Sequence, residues 1–432
     1  MHCASMNCSA RVSRTLGREI AVTSNTAGRI AERKKLHSGR SLWHDSPGRA
    51  VRTRVLRHSE TFEIAIIGGG ISGALTALSL AEAGHEVVVL DRRAPGEGST
   101  VASTAMIQFE IDTPLTELAE RIGKAKATRA YHRSAKAVGT LGRLIERHDL
   151  KAKWAERDAL FLAGNEMGFR GLMTEVDARQ AIGLPSQFLN KSDLQSRFGI
   201  ERTGAILSQG SAELDPAKTC AGLLRAAQKH GASIVSPCEV VAVEYEGKRV
   251  RLATEAGEVI TCGKAVFATG YEVIGGLPRD AFDIVSSWAI ATKPIPKEQF
   301  WPTRCLIWEA ADPYLYLRAT ADNRVLAGGE DSGLTDADRR EAAIPAKADK
   351  LIRKVRNLLS LPDLEIDYAW AGAFADSPSG LPVFRELAGL PGVFAILGCG
   401  GNGITFSVIA ADIVKAWVEG RRDPDADLFA GV

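Results

Sequence analysis

Three glycines, Gly68, Gly70 and Gly73, form a Gly-x-Gly-x-x-Gly pattern directly after the short apolar run "TFEIAII". The run predicts a buried strand, and the small and apolar residues of "SGALTALSLAEAG" that follow predict a helix. A glycine-rich turn at this place lets the backbone approach a pyrophosphate, which the helix N-terminus then binds. Asp91 ends the next strand, "EVVVLD", where a carboxylate can accept hydrogen bonds from ribose hydroxyls. The pattern therefore predicts a dinucleotide site.

The elements around this turn predict an α/β protein. Two strands flank one helix within residues 61–91, and a crossover of that length favours a parallel βαβ unit over a hairpin. Residues 114–230 read as mostly helical, whereas residues 238–270 alternate in short β runs. The last unit, residues 392–420, reads as a strand, a glycine-rich turn and a long helix.

The charge is unevenly placed along the chain. The whole chain has a net charge of +2, but residues 1–60 hold twelve Lys and Arg against four Asp and Glu, so the remainder is net negative. A net negative body is a poor nucleic-acid binder, because that binding depends on neutralising phosphates. We expect no nucleic-acid partner, and we interpret residues 1–59 as a basic N-terminal extension that is partly disordered.

The cysteines and the long uncharged runs predict neither a metal site nor a membrane span. The seven cysteines show no Cys-x-x-Cys pair, so we expect reduced thiols and no metal site. The uncharged runs 64–81 and 388–411 contain clustered glycines, which favours buried strand–turn–helix units over membrane spans. We expect a cytoplasmic protein; the alternative is an organelle, because residues 1–31 are rich in Arg, Ser and Thr like a transit peptide, although a start codon placed too far upstream would look the same.

Three further segments decide which dinucleotide is bound. "KAVFATGYE" (264–272), "GSTVASTAMIQ" (98–108) and "GCGGNGITFS" (398–407) accompany the phosphate turn over residues 60–420. Together they make the chain resemble the FAD-dependent oxidoreductases of the D-amino-acid oxidase, glycine oxidase and sarcosine oxidase superfamily. The resemblance implies non-covalent FAD. It also implies the fold of a two-dinucleotide-binding-domain flavoprotein, a Rossmann-like FAD-binding domain with an inserted α+β substrate domain on a mainly antiparallel sheet.

The same resemblance implies a discontinuous division of the chain. The FAD-binding domain is expected to comprise residues 60–110, 205–283 and 366–432, and the substrate-binding domain residues 111–204 and 284–365. The implied FAD ligands on the phosphate and adenosine side are Gly68, Gly70, Ile71, Ser72, Gly73, Asp91, Arg92, Val240, Thr269 and Gly270. Those towards the phosphates or the flavin ring are Ser99, Thr100, Ser103, Gly400, Asn402, Gly403, Ile404 and Thr405.

The substrate side departs from the family pattern. Amino-acid-oxidising members carry an arginine in a Trp-x-Gly-x-Arg-Pro stretch, which binds the substrate carboxylate through two hydrogen bonds. Here the stretch is "WAGAFADSPSGLP", with Phe374 at the place of the arginine and Ala375 at the place of the proline. Glycine oxidases also carry an arginine in the last glycine-rich loop, where this chain has Gly401. Both arginines are absent at the matching positions, which disfavours a free α-amino acid as the substrate.

A pocket wall is predicted on the strand "DPYLYLR". Its alternation places Tyr314, Tyr316 and Arg318 on one face, which would offer an aromatic cage and one cation; an exposed sheet face with Arg318 paired to a surface acid fits the strand equally well. Gln108 and Phe374 complete the candidate substrate pocket. No catalytic acid or base stands out, since in flavoenzymes of this kind the cofactor carries the reaction.

The leading interpretation is an FAD-dependent oxidoreductase that transfers a hydride from a C–N bond of a small amine or amino-acid-like substrate to the flavin. Reoxidation by oxygen and by an electron carrier both remain open. One alternative is flavin-dependent oxidation of a hydroxy acid, against which the flavin-side segments offer no histidine base. The other is a flavoprotein subunit that is active only with a partner. The oligomeric state is not predicted.

Overall fold

The computed structural model describes residues 33–272 and 282–431. Among them the strands are β1 (His37–Gly39), β2 (Glu60–Ile67), β3 (Val87–Leu90), β4 (Met106–Ile107), β5 (Ala155–Leu162), β6 (Ser186–Asn190), β7 (Gly204–Glu213), β8 (Ser233–Val235), β9 (Val240–Glu246), β10 (Arg249–Thr254), β11 (Val259–Phe267), β12 (Asp283–Thr292), β13 (Leu306–Glu309), β14 (Leu315–Ala319), β15 (Val325–Ser332), β16 (Ile366–Asp376), β17 (Val383–Glu386) and β18 (Val393–Leu397). The α-helices are α1 (Ile71–Glu82), α2 (Leu115–Ile122), α3 (Lys124–Arg147), α4 (Phe169–Ala181), α5 (Lys191–Phe198), α6 (Pro216–Lys229), α7 (Ala337–Ala342), α8 (Ile344–Leu359) and α9 (Gly403–Val418).

The first sheet contains the phosphate turn. Its order is β17-β18-β11-β2-β3-β8, with β10 and β9 added beyond β11, and β2 pairs in parallel with both β11 and β3. The last four residues of β2, 64–67, are apolar and buried, as expected of a parallel strand that is covered on both faces. Helices α1 and α9 pack against each other beside this sheet. This is the predicted Rossmann-like, FAD-binding part of an α/β fold.

The second sheet has the order β1-β16-β12-β15-β14-β13-β5-β7-β4, and β6 pairs with β7. Its pairs are antiparallel except β13 with β5, which is parallel. This is the mainly antiparallel sheet expected for the inserted α+β domain. Sheet membership divides the chain differently from the expected segments, because β4, β16 and nearly all of β7 belong here although they were assigned to FAD-binding segments. We propose that the domain boundaries follow the sheets.

The interval 114–230 is mostly helical, as predicted, because α2 to α6 make up more than half of it. Its strands were not predicted. It contains β5, β6 and β7 between its helices. Residues 159–162 at the end of β5 are buried in the sheet, and a short apolar run of this kind does not distinguish a buried strand from a buried helix by periodicity. Residues 155–162 form a strand because they pair with β7 and β13, which lie far away in the sequence.

Residues 33–54, here called the N-terminal strap, pack on both sheets. Strand β1 pairs with β16, and Trp43 donates from Nε1 to the carbonyl oxygen of Ser103 at 2.7 Å. Arg54 donates to the carboxylate of Glu60 at 2.7 Å. The expected basic extension, residues 1–59, is therefore ordered from residue 33 onwards, and its residues 1–32 lie outside the described part of the chain. Within the described ranges, no helix has the length and apolarity to cross a membrane.

Candidate active site

The glycine-rich turn joins β2 to α1. Gly68 has a φ of +110°, and a Cβ there would collide with the carbonyl oxygen of Ala268, so the turn requires glycine. A Cβ on Gly73 would collide with the carbonyl oxygen of Gly68, which shows how closely α1 lies on the turn. Helix α1 begins at Ile71, directly after the turn, and both line one cavity. This arrangement places a helix N-terminus where a pyrophosphate can bind.

The carboxylate of Asp91 is fixed by the same turn. Its Oδ2 accepts a hydrogen bond from the N–H of Gly69 at 2.6 Å, and its Oδ1 accepts one from the N–H of Arg93 at 2.8 Å. Burial raises the pKa of Asp91, and these two N–H groups oppose the rise. Asp91 lines the cavity beside the turn, at the place that the sequence assigns to the ribose.

The arginines after Asp91 are paired within the protein. Arg92 and Arg93 both donate to the carboxylate of Glu272 and to the carbonyl oxygen of Lys34 in the N-terminal strap. Arg92, Arg93 and Glu272 also line the cavity. The strap thus forms part of the wall at this end, and the guanidinium of Arg92 is committed to Glu272 and the strap.

The opposite end of the cavity is built around the turn before α9. Asn402 donates from Nδ2 to the carbonyl oxygen of Glu110 at 2.8 Å, and its Oδ1 accepts from the N–H of Asp112 at 3.0 Å. Thr405 donates from its hydroxyl to the carbonyl oxygen of Gln108 at 3.1 Å. These bonds tie the segment 108–112 to the start of α9.

The cavity fits an extended dinucleotide. It runs from the phosphate turn to the turn before α9. The hydroxyl of Ser99 in its wall is buried and has no hydrogen-bond partner among the described residues, as expected where a ligand would complete it. The predicted FAD ligands that line it are Gly68, Gly70, Ile71, Ser72, Asp91, Arg92, Ser99, Thr100, Ser103, Val240, Thr269, Gly270, Gly400, Asn402, Gly403 and Ile404.

Two predicted FAD ligands are not in the cavity wall. Gly73 packs α1 onto the turn, and Thr405 holds the backbone at Gln108. Both therefore shape the cavity from behind. Cys399 does line the cavity, but burial raises the pKa of its thiol to about 12. A thiol that stays protonated at neutral pH is a poor nucleophile, in keeping with the expected non-covalent FAD.

Aromatic side chains line the cavity beside the turn before α9. The rings of Tyr314 and Tyr316 have centroids 5.3 Å apart, and Phe374 faces the same space. The ring of Tyr316 lies across Gly328 of the neighbouring strand, where a Cβ would collide with it. Gln108 also lines this space with only 9% of its surface exposed, and its Nε2 has no hydrogen-bond partner within the described ranges. These four predicted pocket residues are brought together.

Arg318 does not join them, so the suggestion of a substrate-binding cation on this strand is wrong in the structure. It is 2% exposed and donates to the carbonyl oxygens of Thr104 at 2.7 Å and Leu214 at 2.9 Å. Its guanidinium lies 5.5 Å from the ring centroid of Trp43 and 3.5 Å from the carboxylate of Glu213. The surface-acid alternative fails as well, because Glu213 is buried.

The sequence analysis missed two carboxyl groups at this end of the cavity. Asp112 lines the wall, and its Oδ2 accepts a hydrogen bond from the N–H of Gly401 at 3.0 Å. Asp331 lies behind Tyr314, and burial raises the pKa of each carboxyl to about 6. Trp308 was missed too; it stacks on Phe161 with centroids 3.9 Å apart and lines the cavity. No motif contains these residues, and the signal that exposes them is their convergence in space.

The comparisons define the class of protein. The sequence matches the family described as "DAO: FAD dependent oxidoreductase" over residues 63–417, and the chain belongs to that family. It is an FAD-dependent oxidoreductase of the amine oxidase and dehydrogenase type.

Individual relatives are distant. The probable oxidoreductase OrdL of Haemophilus influenzae is 25% identical over 408 residues, covering 91% of each chain. Gamma-glutamylputrescine oxidoreductase of Escherichia coli is 23% identical over 385 residues, which is 87% of this chain and 86% of that protein. The crystal structure of glycine oxidase from Geobacillus kaustophilus superposes with a TM-score of 0.70 at 21% identity, covering 85% of this chain and 96% of the other. The last comparison establishes the fold.

Proposed function

We propose that this enzyme oxidises a C–N bond of an amine that bears no carboxylate on the reacting carbon. Of the substrates that the family activity allows, amines and amino acids, the proposal selects the amines. Gamma-glutamylputrescine oxidoreductase of Escherichia coli, whose name describes an amine-derived substrate, is a relative along most of the chain.

The observation that carries the proposal is the carboxylate of Asp112 at the N–H of Gly401. Residue 401 matches the position of an arginine in glycine oxidases, so a negative charge here faces the place where those enzymes bring a positive one. Phe374 stands at the second arginine position and lines the same space. A substrate carboxylate placed there would meet a like charge and an aromatic ring, and would lose the two-point pairing that arginine offers.

One group of residues would bind the cofactor, and another would bind the substrate. The phosphate turn, Asp91 and the turn before α9 would hold FAD along the cavity. FAD, when bound, supplies the acceptor for two electrons and a proton from the carbon next to nitrogen; the nitrogen loses its own proton to solvent, and water hydrolyses the resulting imine. The ring faces of Tyr314, Tyr316 and Phe374 would orient the carbon chain and keep water from the reacting carbon.

The reaction class is tested on the purified holoenzyme by following the visible flavin spectrum without oxygen. Amines, amino acids and 2-hydroxy acids are added separately, and bleaching by the amines alone is expected. Bleaching by 2-hydroxy acids, or by α-amino acids as readily as by amines, would contradict the proposal. A parallel assay of hydrogen peroxide in air distinguishes oxygen from an electron carrier as the second substrate.

A further inference from the structure

The substrate end of the cavity carries negative charge that no cation among the described lining residues balances. Among the described residues that line the cavity, the cationic ones are Arg33, Arg92 and Arg93. All three lie at the adenosine end, where Arg33 pairs with Glu239 at 2.7 Å and the other two pair with Glu272. None of them faces the aromatic end. The carboxyls of that end therefore have no cation of their own among the described lining residues.

The carboxylate of Asp112 is directed into this space. The side chain is exposed although the residue lies deep in the fold, and the surface that it exposes is cavity wall. Oδ2 accepts the hydrogen bond from the N–H of Gly401. Each carboxylate oxygen can accept more than one hydrogen bond, so Asp112 keeps acceptor capacity for a ligand.

Asp331, on β15, lies behind Tyr314 and is not itself part of the cavity wall. It lies beside the hydroxyls of Ser287 and Tyr314, which oppose the effect of burial on its pKa, and the charge of Asp112 acts on it as well. Its Oδ1 is buried without a hydrogen-bond partner in the described part of the chain. Lys347, a cation whose charge acts on Asp331, donates to the carbonyl oxygen of Glu330 at 2.5 Å and lies over the ring of Trp288. A buried, unpaired carboxylate oxygen is costly unless a ligand pairs with it.

The reacting nitrogen cannot supply the missing positive charge throughout the reaction. To form the C=N bond it must donate its lone pair, so it is neutral when the hydride leaves. Any cation that balances the two carboxyls at that moment belongs to another part of the substrate. The faces of Tyr314 and Trp308 suit such a group, because aromatic faces attract cations and also cover an alkyl chain.

We propose that the substrate is a diamine-like molecule and that Asp112 binds its second, non-reacting cationic group, while Asp331 adds negative charge from behind Tyr314. This inference rests on the proposed function, since it assumes that one nitrogen reacts. It deepens that function by naming the residues that select the substrate and the charge that they select.

The test compares 1,4-diaminobutane with pentylamine, in which a methyl group replaces one ammonium group at the same chain length. Binding to the oxidised holoenzyme is measured without oxygen as the shift of the flavin absorbance spectrum. The spectra are recorded at low temperature and shortly after mixing, before the flavin is reduced. We expect the diamine to bind about 10- to 100-fold more tightly, the range for a charge-assisted hydrogen bond. Asp112→Asn and Asp331→Asn, which keep the side-chain shape, should each reduce that preference at least several-fold.

Asp376→Asn is the matched control. Asp376 is exposed at the end of β16 and its charge acts on Asp112, but it is not in the cavity wall. Its variant should keep the diamine preference. Equal binding of the two amines by the wild type, or a preference retained in Asp112→Asn, would overturn the inference. Flavin reduction by pentylamine together with equal binding would leave the proposed function standing and reject only the second cation.

Discussion

The carboxylate of Asp112 occupies the place that a side chain at residue 401 would need. Its Oδ2 accepts a hydrogen bond from the N–H of Gly401 at 3.0 Å, and a Cβ on Gly401 would lie 2.5 Å from that oxygen. Glycine at this position is therefore matched to an acid at position 112. The pair brings a negative charge to the position where the family resemblance implies an arginine in glycine oxidases.

A substitution at Gly401 should disturb binding more than folding. In Gly401→Ala the new methyl group displaces a carboxylate that can rotate away, so we expect unchanged FAD content and a loss of stability of about 1 kcal/mol or less. The preference for 1,4-diaminobutane over pentylamine should fall several-fold. The control is Gly168→Ala, where a Cβ meets no atom within 4 Å. An unchanged preference in Gly401→Ala would show that the position of Asp112 does not matter.

Gly73→Ala should act on the cofactor instead. Its methyl group would strike the backbone oxygen of Gly68, which cannot rotate away, so α1 has to move off the turn. We expect destabilisation of about 1–3 kcal/mol together with loss of FAD. The measurements are the flavin-to-protein ratio after gel filtration and denaturant unfolding. Full FAD content with wild-type stability would mean that the turn tolerates the displaced helix.

Arg318→Leu should lower stability and leave selectivity unchanged. The substitution removes the hydrogen-bond donor of the carbonyl oxygens of Thr104 and Leu214. It also removes the positive charge beside the buried carboxylate of Glu213. Removing a buried charged donor of this kind costs about 3 kcal/mol or more. Denaturant unfolding measures that loss, and the folded fraction should keep the wild-type ratio of diamine to monoamine binding. Normal stability with lost substrate binding would instead make Arg318 a substrate ligand.

The phosphate turn, Asp91 and the flavin-side turn could be predicted because their function depends on local backbone geometry, which a short run of residues encodes. Arg318 shows the limit of such reasoning. Alternation correctly groups it with Tyr314 and Tyr316 on one face of β14, but Trp43 of the N-terminal strap and the segments around Thr104 and Leu214 cover that face at one end. Which part of a strand face borders a cavity depends on packing from remote segments.

Asp112 and Asp331 could not be predicted as site residues from the sequence, for a similar reason. One follows β4 and the other lies in β15, and neither belongs to a motif. Burial in the fold raises the pKa of both carboxyls, with the charge of Asp376 adding to the rise at Asp112 and the charge of Asp112 adding to the rise at Asp331. Their significance as a pair also depends on the two missing arginines, which the sequence did reveal.

The pH dependence follows from these two carboxyls. Burial raises the pKa of each to about 6; Asp112 faces the N–H of Gly401 and the charge of Asp376, and Asp331 faces the hydroxyls of Ser287 and Tyr314 and the charges of Asp112 and Lys347. Above pH 6 both are ionised and bind a cation, whereas below it they take up protons and lose that charge.

The KM for 1,4-diaminobutane should therefore rise relative to that for pentylamine as the pH falls from 7 to 5, by roughly tenfold per unit once the pH is below the pKa of the binding group. The ratio of the two KM values cancels the protonation of the reacting amine, which both substrates share. A ratio that stays constant over this range would contradict a role for these carboxyls.

We propose that the enzyme acts on amines that carry no carboxylate on the reacting carbon. The most direct measurement is the rate of anaerobic flavin bleaching by two matched pairs, ornithine against 1,4-diaminobutane and norleucine against pentylamine, which differ only in the α-carboxylate. Because a like charge set against Asp112 costs several kcal/mol, each amine should bleach the flavin at least about a hundredfold faster than its amino acid. Equal rates within each pair, or faster bleaching by the amino acids, would contradict the account.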